Sequence, residues 1–288
     1  MNKVKKTGQS ITKRSLEKLL HNKLAVVGFA MMMVTIVLCL IAPLLTDADP
    51  SYIDMTLRYA EPSAEHPLGC DQSGRDIWAR LLYGGRISIA IGLASAILAN
   101  TLGAIIGCIS GYFGDKVDRV LMFVSEVFSC FPDKMLIMIL MAFAGEGVWI
   151  MMAVFIATGW VNTMRLTRSR ILSLKHEPYV ESGKATGISS ASIMFKHLLP
   201  NTLGVFIINI TSTVAGYVLS EAGLSFLGLG VPKGIPTWGN MLNAARSLNV
   251  MQNHLMLWIA PGLAISFFVL GVNFFGDGLR DVFDVTQE

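Results

Sequence analysis

Six stretches of this chain, 24–45, 87–111, 120–144, 148–164, 203–220 and 255–275, are apolar over a length that reaches across a lipid bilayer. A helix needs about 20 apolar residues, within a range of roughly 17 to 25, to cross the hydrocarbon core. Six such helices in a soluble protein would have to be covered by polar surface, and that surface is missing. The chain is 53% hydrophobic and only 15% charged, whereas soluble domains carry about 25% charged residues. The expected fold is an all-α polytopic membrane protein with six transmembrane helices.

The first apolar run is longer than the core of a signal peptide and no small-residue cleavage pattern follows Pro43-Leu44-Leu45, so it reads as a retained span. Of the four cysteines, Cys39, Cys108 and Cys130 lie in spans and only Cys70 stands in a polar segment, which argues against a disulfide scaffold.

Basic residues set the orientation. Lys3, Lys5, Lys6, Lys13, Arg14, Lys18 and Lys23 crowd the amino-terminal tail, and Arg165, Arg168, Arg170, Lys175, Lys184 and Lys196 fill the 165–201 loop. Lys116, Arg119 and Arg280 add to that side. The other side holds Arg58, Arg75, Arg80, Arg86, Lys233 and Arg246. Both termini and the central loop are therefore expected in the cytoplasm. The resulting organisation is a cytoplasmic tail over 1–23, a first span over 24–45 and an extracytoplasmic segment over 46–86. A core over 87–275 contains the 165–201 loop, and a second cytoplasmic tail covers 276–288. The tail 1–23 is expected to touch anionic membrane lipids. The net charge of +3 reads as a topology signal, with no nucleic-acid partner.

Within the outer segment, Asp47-Ala48-Asp49-Pro50 is expected to end the first helix. Ser73 with Asp76 suggests a capping box, and the Ile77/Leu81 and Trp78/Leu82 pairs suggest an interfacial helix or an ordinary connector. The second span carries Gly103, Gly107 and Gly111, two overlapping G-x-x-x-G steps that let helices approach closely. The third span holds Glu126, Asp133 and Lys134, with Pro132 interrupting its hydrogen bonds. A charge at the centre of a span costs about 2.5–3.5 kcal/mol on insertion scales. This pattern predicts either a kinked helix lining a pathway or a local ion pair of Lys134 with Asp133 or Glu126.

Catalytic chemistry is missing. Ser182-Gly183-Lys184-Ala185 fails the phosphate-loop pattern, because Pro178 stands at the early glycine and Ala185 at the hydroxyl position. No zinc spacing or nucleophile elbow appears. The chain is expected to be no enzyme and to hold no metal or cofactor itself, so energy must come from a gradient or a partner. The 165–201 loop suits a helix–Gly–helix hairpin. Pro178 fits a first turn, Glu181 favours the positive end of the helix dipole, and Gly187 can terminate the helix. Ser189 or Ser190 caps a second short helix carrying Met194 and Leu198, and Pro200 opens the fifth span. Such a hairpin either transmits a push from a cytoplasmic protein or simply connects two spans.

Glu181-Ser182-Gly183-x3-Gly187-x9-His197-Leu198-Leu199-Pro200 resembles the EAA motif of ABC importer permeases, E-A-A-x3-G-x9-I-x-L-P. Ser182 and Gly183 replace the usual alanines, and His197 the usual isoleucine. Gly183 inside a helix costs about 0.8–1.0 kcal/mol relative to alanine, leaving the helix more pliable. His66-Pro67-Leu68-Gly69-x-Asp71-x-x-Gly74-Arg75-Asp76 with Arg80-Leu81-Leu82-Tyr83-Gly84 is similar to the entry segment of the C-type permeases of dipeptide and oligopeptide importers, with Cys70 in place of threonine. Glu221–Gly230, Trp238-Gly239-Asn240-Met241-Leu242 and Gly276–Asp281 fit the same peptide/nickel branch, so the resemblance covers nearly the whole chain.

The resemblance implies a type I ABC importer permease in a bacterial or archaeal plasma (inner) membrane. Its partners would be a homologous second permease (as a heterodimer), two ATPases carrying ATP and Mg, and an extracytoplasmic solute-binding protein. It implies ATPase coupling at Glu181, Ser182, Gly183, Lys184, Ala185, Thr186, Gly187, Leu199 and Pro200. Pathway or gate roles fall to Glu126, Pro132, Lys134, Glu221 and Phe226. The expected cargo is di- or oligopeptides, with nickel or a metal chelate as the alternative. Two further readings stay open: a proton-coupled secondary transporter relaying through Glu126, Asp133 and Lys134, and a scaffold or sensor without a pathway.

Overall fold

The structure, a computed structural model, describes residues 17–284. The expectations for 1–16 and 285–288 lie outside the described residues. The main helices are α1 (Lys23–Leu40), α2 (Ile77–Phe113), α3 (Asp115–Ser129), α4 (Asp133–Ala144), α5 (Val148–Leu174), α6 (Pro178–Ala185), α7 (Leu203–Leu227), α8 (Trp238–Leu242) and α9 (Met256–Asp284), with shorter helical turns between them and a long segment, 41–76, between α1 and α2. Among the described residues there is no strand, only an isolated bridge between Cys70 and Asp76. Five helices are long and apolar enough to cross a membrane, and six if the bent pair α3–α4 counts as one span.

The central element is α2, 37 residues long, or about 55 Å at 1.5 Å per residue. The expected interfacial helix does not stand apart: it is the first turns of α2, because nothing between Tyr83 and Ile87 breaks the backbone ladder. Its cap is also different. Asp76, not Ser73, is the N-cap, and its Oδ1 accepts from Ala79 N at 2.6 Å. Asp71 takes Ser73 N into its own turn, at 2.7 Å, so Ser73 lies outside the helix.

The G-x-x-x-G face of α2 meets α5. A Cβ added to Gly103 would lie 2.4 Å from Trp160 O, and one on Gly107 would lie 2.3 Å from Met164 O. Gly92 in turn accepts Val218 of α7. Where small residues let backbones meet, dispersion contacts replace the hydrophobic effect that lipid cannot supply. A buried polar cluster joins the same helices. Asn100 Oδ1 accepts from Thr163 Oγ1 at 2.5 Å and from Asn209 Nδ2 at 2.6 Å, linking α2, α5 and α7.

Several boundaries differ from expectation. Helix α1 ends at Leu40 instead of at Asp47–Pro50, because Pro43 sits in the first turn of the next short helix and has no N–H to offer. Arg86 of α2 satisfies the carbonyls left there: its Nε donates to Cys39 O at 2.5 Å and its Nη2 donates to Leu40 O. Helix α5 continues to Leu174, so the connecting loop begins at Lys175, and α9 continues to Asp284. The third span is more than kinked. Pro132 has ψ 127°, which turns the chain out of the helix, and α3 and α4 meet at 83°.

Two polar regions cap opposite ends of α2. At its start, Trp238 Nε1 donates to Leu81 O at 3.0 Å and the Tyr59 ring stacks on His254 at 4.1 Å, so segments 46–76 and 229–257 lie together. Cys70 is buried there, and burial beside Asp76, Asp71 and Asp54 pushes its thiol up to about 11. At the far end of α2 stands the hairpin of α6.

Candidate functional site

The hairpin forms because each of its residues suits its place. Pro178 occupies the first turn of α6 and Glu181 lies near its positive end. Gly187 ends the helix at φ +79°. There Gly187 N donates to Lys184 O at 3.1 Å and Ile188 N to Gly183 O at 3.0 Å, the paired bonds of a Schellman motif. Ser189 then caps the following turn, its side chain accepting from Ser192 N at 3.3 Å. Ile193–Leu198 is a π-helical turn, which passes through the 3₁₀ turn Leu199–Thr202 into α7.

One side of the hairpin is anchored. Val180, Ile193, Met194 and Leu198 are buried against Cys108 of α2 and Ile171 of α5. The Lys184 ammonium lies 5.3 Å from the Tyr112 ring centroid, and Tyr112 Oη donates to Ser190 Oγ at 3.3 Å. Glu181, Ser182, Lys184, Ala185, Thr186 and Gly187 are exposed, as is Pro200, whereas Leu199 is half-buried. Of the expected coupling residues, Glu181–Gly187 thus lie together on α6 and its cap, while Leu199 and Pro200 stand in the 3₁₀ turn that leads into α7. The buried anchors Val180, Ile193 and Ile171 were missed at the sequence level; the four-residue spacing of Met194 and Leu198 was the visible part of that signal.

Gly183 faces inward, yet an added Cβ would sit 3.6 Å from Ile188 Cδ1, an ordinary contact. Gly183→Ala is therefore expected to stiffen α6 by about 0.8–1.0 kcal/mol, read as slower amide hydrogen exchange across Pro178–Ala185. Equal or faster exchange in the variant would mean that Gly183 is needed for close packing.

The same end carries an ion pair between α3 and α5. Arg168 Nε and Nη2 reach Asp118 Oδ1 and Oδ2 at 2.5 and 2.6 Å, and Ser110 Oγ of α2 donates to Oδ1 at 2.5 Å. Arg165 Nη2 donates to Ser129 Oγ at 3.0 Å. Both arginines therefore stand on α5 and hold α3; neither belongs to the loop.

The remaining expected site residues are dispersed. Glu221 is fully buried in α7, where its Oε2 and Oε1 accept from Ser88 and Ser225, both at 2.9 Å. Ser88 Oγ in turn accepts from Trp238 N at 3.1 Å. Glu221 thus ties α2 and α7 to the start of α8. Phe226 is half-buried, and its carbonyl accepts from Asn243 Nδ2 at 2.7 Å. Glu126, Pro132 and Lys134 are exposed around the α3–α4 break. Among the described residues no ion pair joins Lys134 to Glu126 or Asp133, which removes the local-pair reading. Lys134 instead borders a 130 Å³ cavity between α4 and α7.

Comparison with known proteins agrees with this architecture. Residues 103–286 match the family model of the binding-protein-dependent transport system inner membrane component, and residues 10–62 match the N-terminal transmembrane domain of oligopeptide transport permease C. The oligopeptide transport system permease protein OppC of Bacillus subtilis is 34% identical over 98% of this chain and 92% of its own length. The dipeptide transport system permease protein DppC of the same organism is 34% identical, covering 98% of this chain and 88% of its own. Among solved structures, an inward-facing conformation of the MetNI methionine ABC transporter aligns with a TM-score of 0.52 at 16% identity, over 70% of this chain and 96% of that one; it speaks for the fold alone. With its apolar helices, its protruding hairpin and these relatives, the chain belongs to the family of inner membrane components of binding-protein-dependent transport systems.

Proposed function

We propose that this chain is the permease of a peptide importer, forming half of a pathway for di- or oligopeptides and driven by ATPases bound at α6. The observation that carries the reading is the exposed Glu181–Gly187 face, mounted through Val180, Ile193, Met194 and Leu198 on the ends of α2 and α5. A displacement of α6 cannot be absorbed locally, because its apolar anchors are packed and packed interiors transmit strain. It passes into α2 and α5, along the Gly103–Gly107 seam, through Asn100 and Asn209 to α7, and through Arg168 to α3.

The other components are a homologous second permease, two ATPases that bind and hydrolyse ATP with Mg, and an outer solute-binding protein. In this arrangement the hairpin and both termini face the cytoplasm, and the 46–76 and 229–257 segments face the binding protein. Glu221 acts from within, holding α8 to α2 and α7. Phe226 and the α3–α4 break border the pathway. The relatives named above speak for peptides and give nickel no support. Membership of a binding-protein-dependent family likewise sets aside the proton-coupled relay and the scaffold.

Reconstitution in proteoliposomes tests the reading. Uptake of a labelled tripeptide is expected only with ATP, the ATPase pair and the binding protein together. Uptake by this chain alone under a proton gradient would overturn it.

A further inference from the structure

Lys134 carries a charge that no described residue of its own chain pairs with. It stands exposed in the first turn of α4, just past the 83° break, and shares a cavity with Leu219 of α7. No described carboxylate forms an ion pair with it. An ionised side chain in a membrane-spanning region is costly and is retained where it meets a partner or a wet cavity.

A cavity borders it, apolar in lining apart from Lys134 and Ser220. Lys134, Ile137 and Met138 line one wall, and Leu219, Ser220 and Gly223 of α7 line the other, around 130 Å³. That is about four times the ~30 Å³ share of one liquid water: room for a carboxylate on a short stem, and too little for a helix. An added Cβ on Gly223 would meet nothing within 4 Å, so this glycine is not there to let the chain pack on itself. Ser220 lies about 10 Å from the end of α7 at Leu227, at 1.5 Å per residue, and that end carries the Trp238 segment. The cavity is thus set toward the side where the binding protein delivers cargo.

We propose that Lys134 receives the carboxylate of the transported peptide, with the α4–α7 cavity holding the carboxyl-terminal residue. The proposal rests on the peptide-importer reading. It gives the permease a preference of its own for peptides with a free carboxyl terminus, besides whatever the binding protein selects. A lipid phosphate or a carboxylate of the second permease would satisfy the same ammonium, and the experiment separates these from the cargo.

The complete importer is reconstituted with wild-type, Lys134→Gln or Lys134→Arg permease. Uptake of trialanine is compared with that of trialanine amide, each corrected for its measured affinity for the binding protein. Lys134→Gln is expected to lower trialanine uptake about tenfold, the scale of one lost charge-assisted hydrogen bond, and to leave the amide unchanged. Lys134→Arg is expected to retain the preference. Gly223→Val, which narrows the cavity without removing charge, is expected to lower trialanine uptake as well. Equal loss for both peptides in Lys134→Gln would assign the lysine to a lipid or to the second permease and overturn the proposal, as would no loss at all. A wild-type importer that moves neither peptide with ATP would instead fail the reading on which the proposal rests.

Discussion

Replacing Gly187 by valine is expected to leave ATP hydrolysis running while peptide uptake falls by about tenfold or more. Gly187 sits at φ +79° with no atom within 4 Å of an added Cβ, so the substitution meets no clash. Its cost is in the backbone. A left-handed conformation costs a residue with a Cβ roughly 1–2 kcal/mol, and about 1.4 kcal/mol is a factor of ten. Relaxing that strain moves Gly187 N and Ile188 N away from Lys184 O and Gly183 O, the two bonds that close α6. The exposed Glu181 face would then no longer be held rigidly to its anchors. Parallel measurement of phosphate release and peptide uptake in proteoliposomes reads the result. Gly187→Asn is the control, because asparagine visits this conformation readily. A valine variant as well coupled as wild type would show that the hairpin is a connector only.

The largest effect on stability is expected at Gly107. A Cβ there would lie 2.3 Å from the backbone carbonyl of Met164, an atom that cannot swing aside as a side chain can. Gly107→Leu must push α2 and α5 apart, which strains the Asn100–Thr163 bond and the Asp118–Arg168 pair at the same time. A loss of about 3 kcal/mol or more is expected, at or beyond the upper end for overpacking. It would be measured by thermal unfolding of the detergent-solubilised chain. Gly216→Leu provides the contrast: its Cβ would meet nothing within 4 Å, and no loss, or a gain of up to about 1 kcal/mol from helix propensity, is expected for the isolated chain. Comparable losses at both positions would refute the assigned seam.

Gly107 and Gly216 show where sequence reading stops. Both are glycines within apolar spans, and spacing marks Gly103, Gly107 and Gly111 as one face without saying which helix they meet. The hairpin was legible in more detail, because turns depend on local chemistry. Pro178, Gly187 and Ser189 each stand where their own backbone preferences place them. The break at Pro132 was legible as a break, but its angle was not: a missing N–H permits a modest kink as readily as the observed 83° turn.

Glu221 and Arg86 carry the same lesson. The resemblance puts Glu221 among the pathway or gate residues, and in the fold it is enclosed by Ser88 and Ser225. Arg86 reads as an outer charge, yet it bonds the carbonyls of Cys39 and Leu40 at the end of α1. Asn100 and Asn209 drew no expectation from the sequence, although polar residues in apolar spans are a signal of helix-to-helix bonding.

By itself, the sequence determined that this chain crosses a membrane repeatedly and that a helix–Gly–helix element lies between two of its spans. Both follow from composition or from neighbouring residues, since lipid selects apolar runs and a turn selects its own glycine. Only the tertiary structure decided which helix the glycine face meets, which buried carboxylate is bonded, and that Lys134 opens onto a cavity with no ion pair to any described carboxylate. Those depend on residues far apart in the chain arriving at one place, and no local periodicity encodes that meeting.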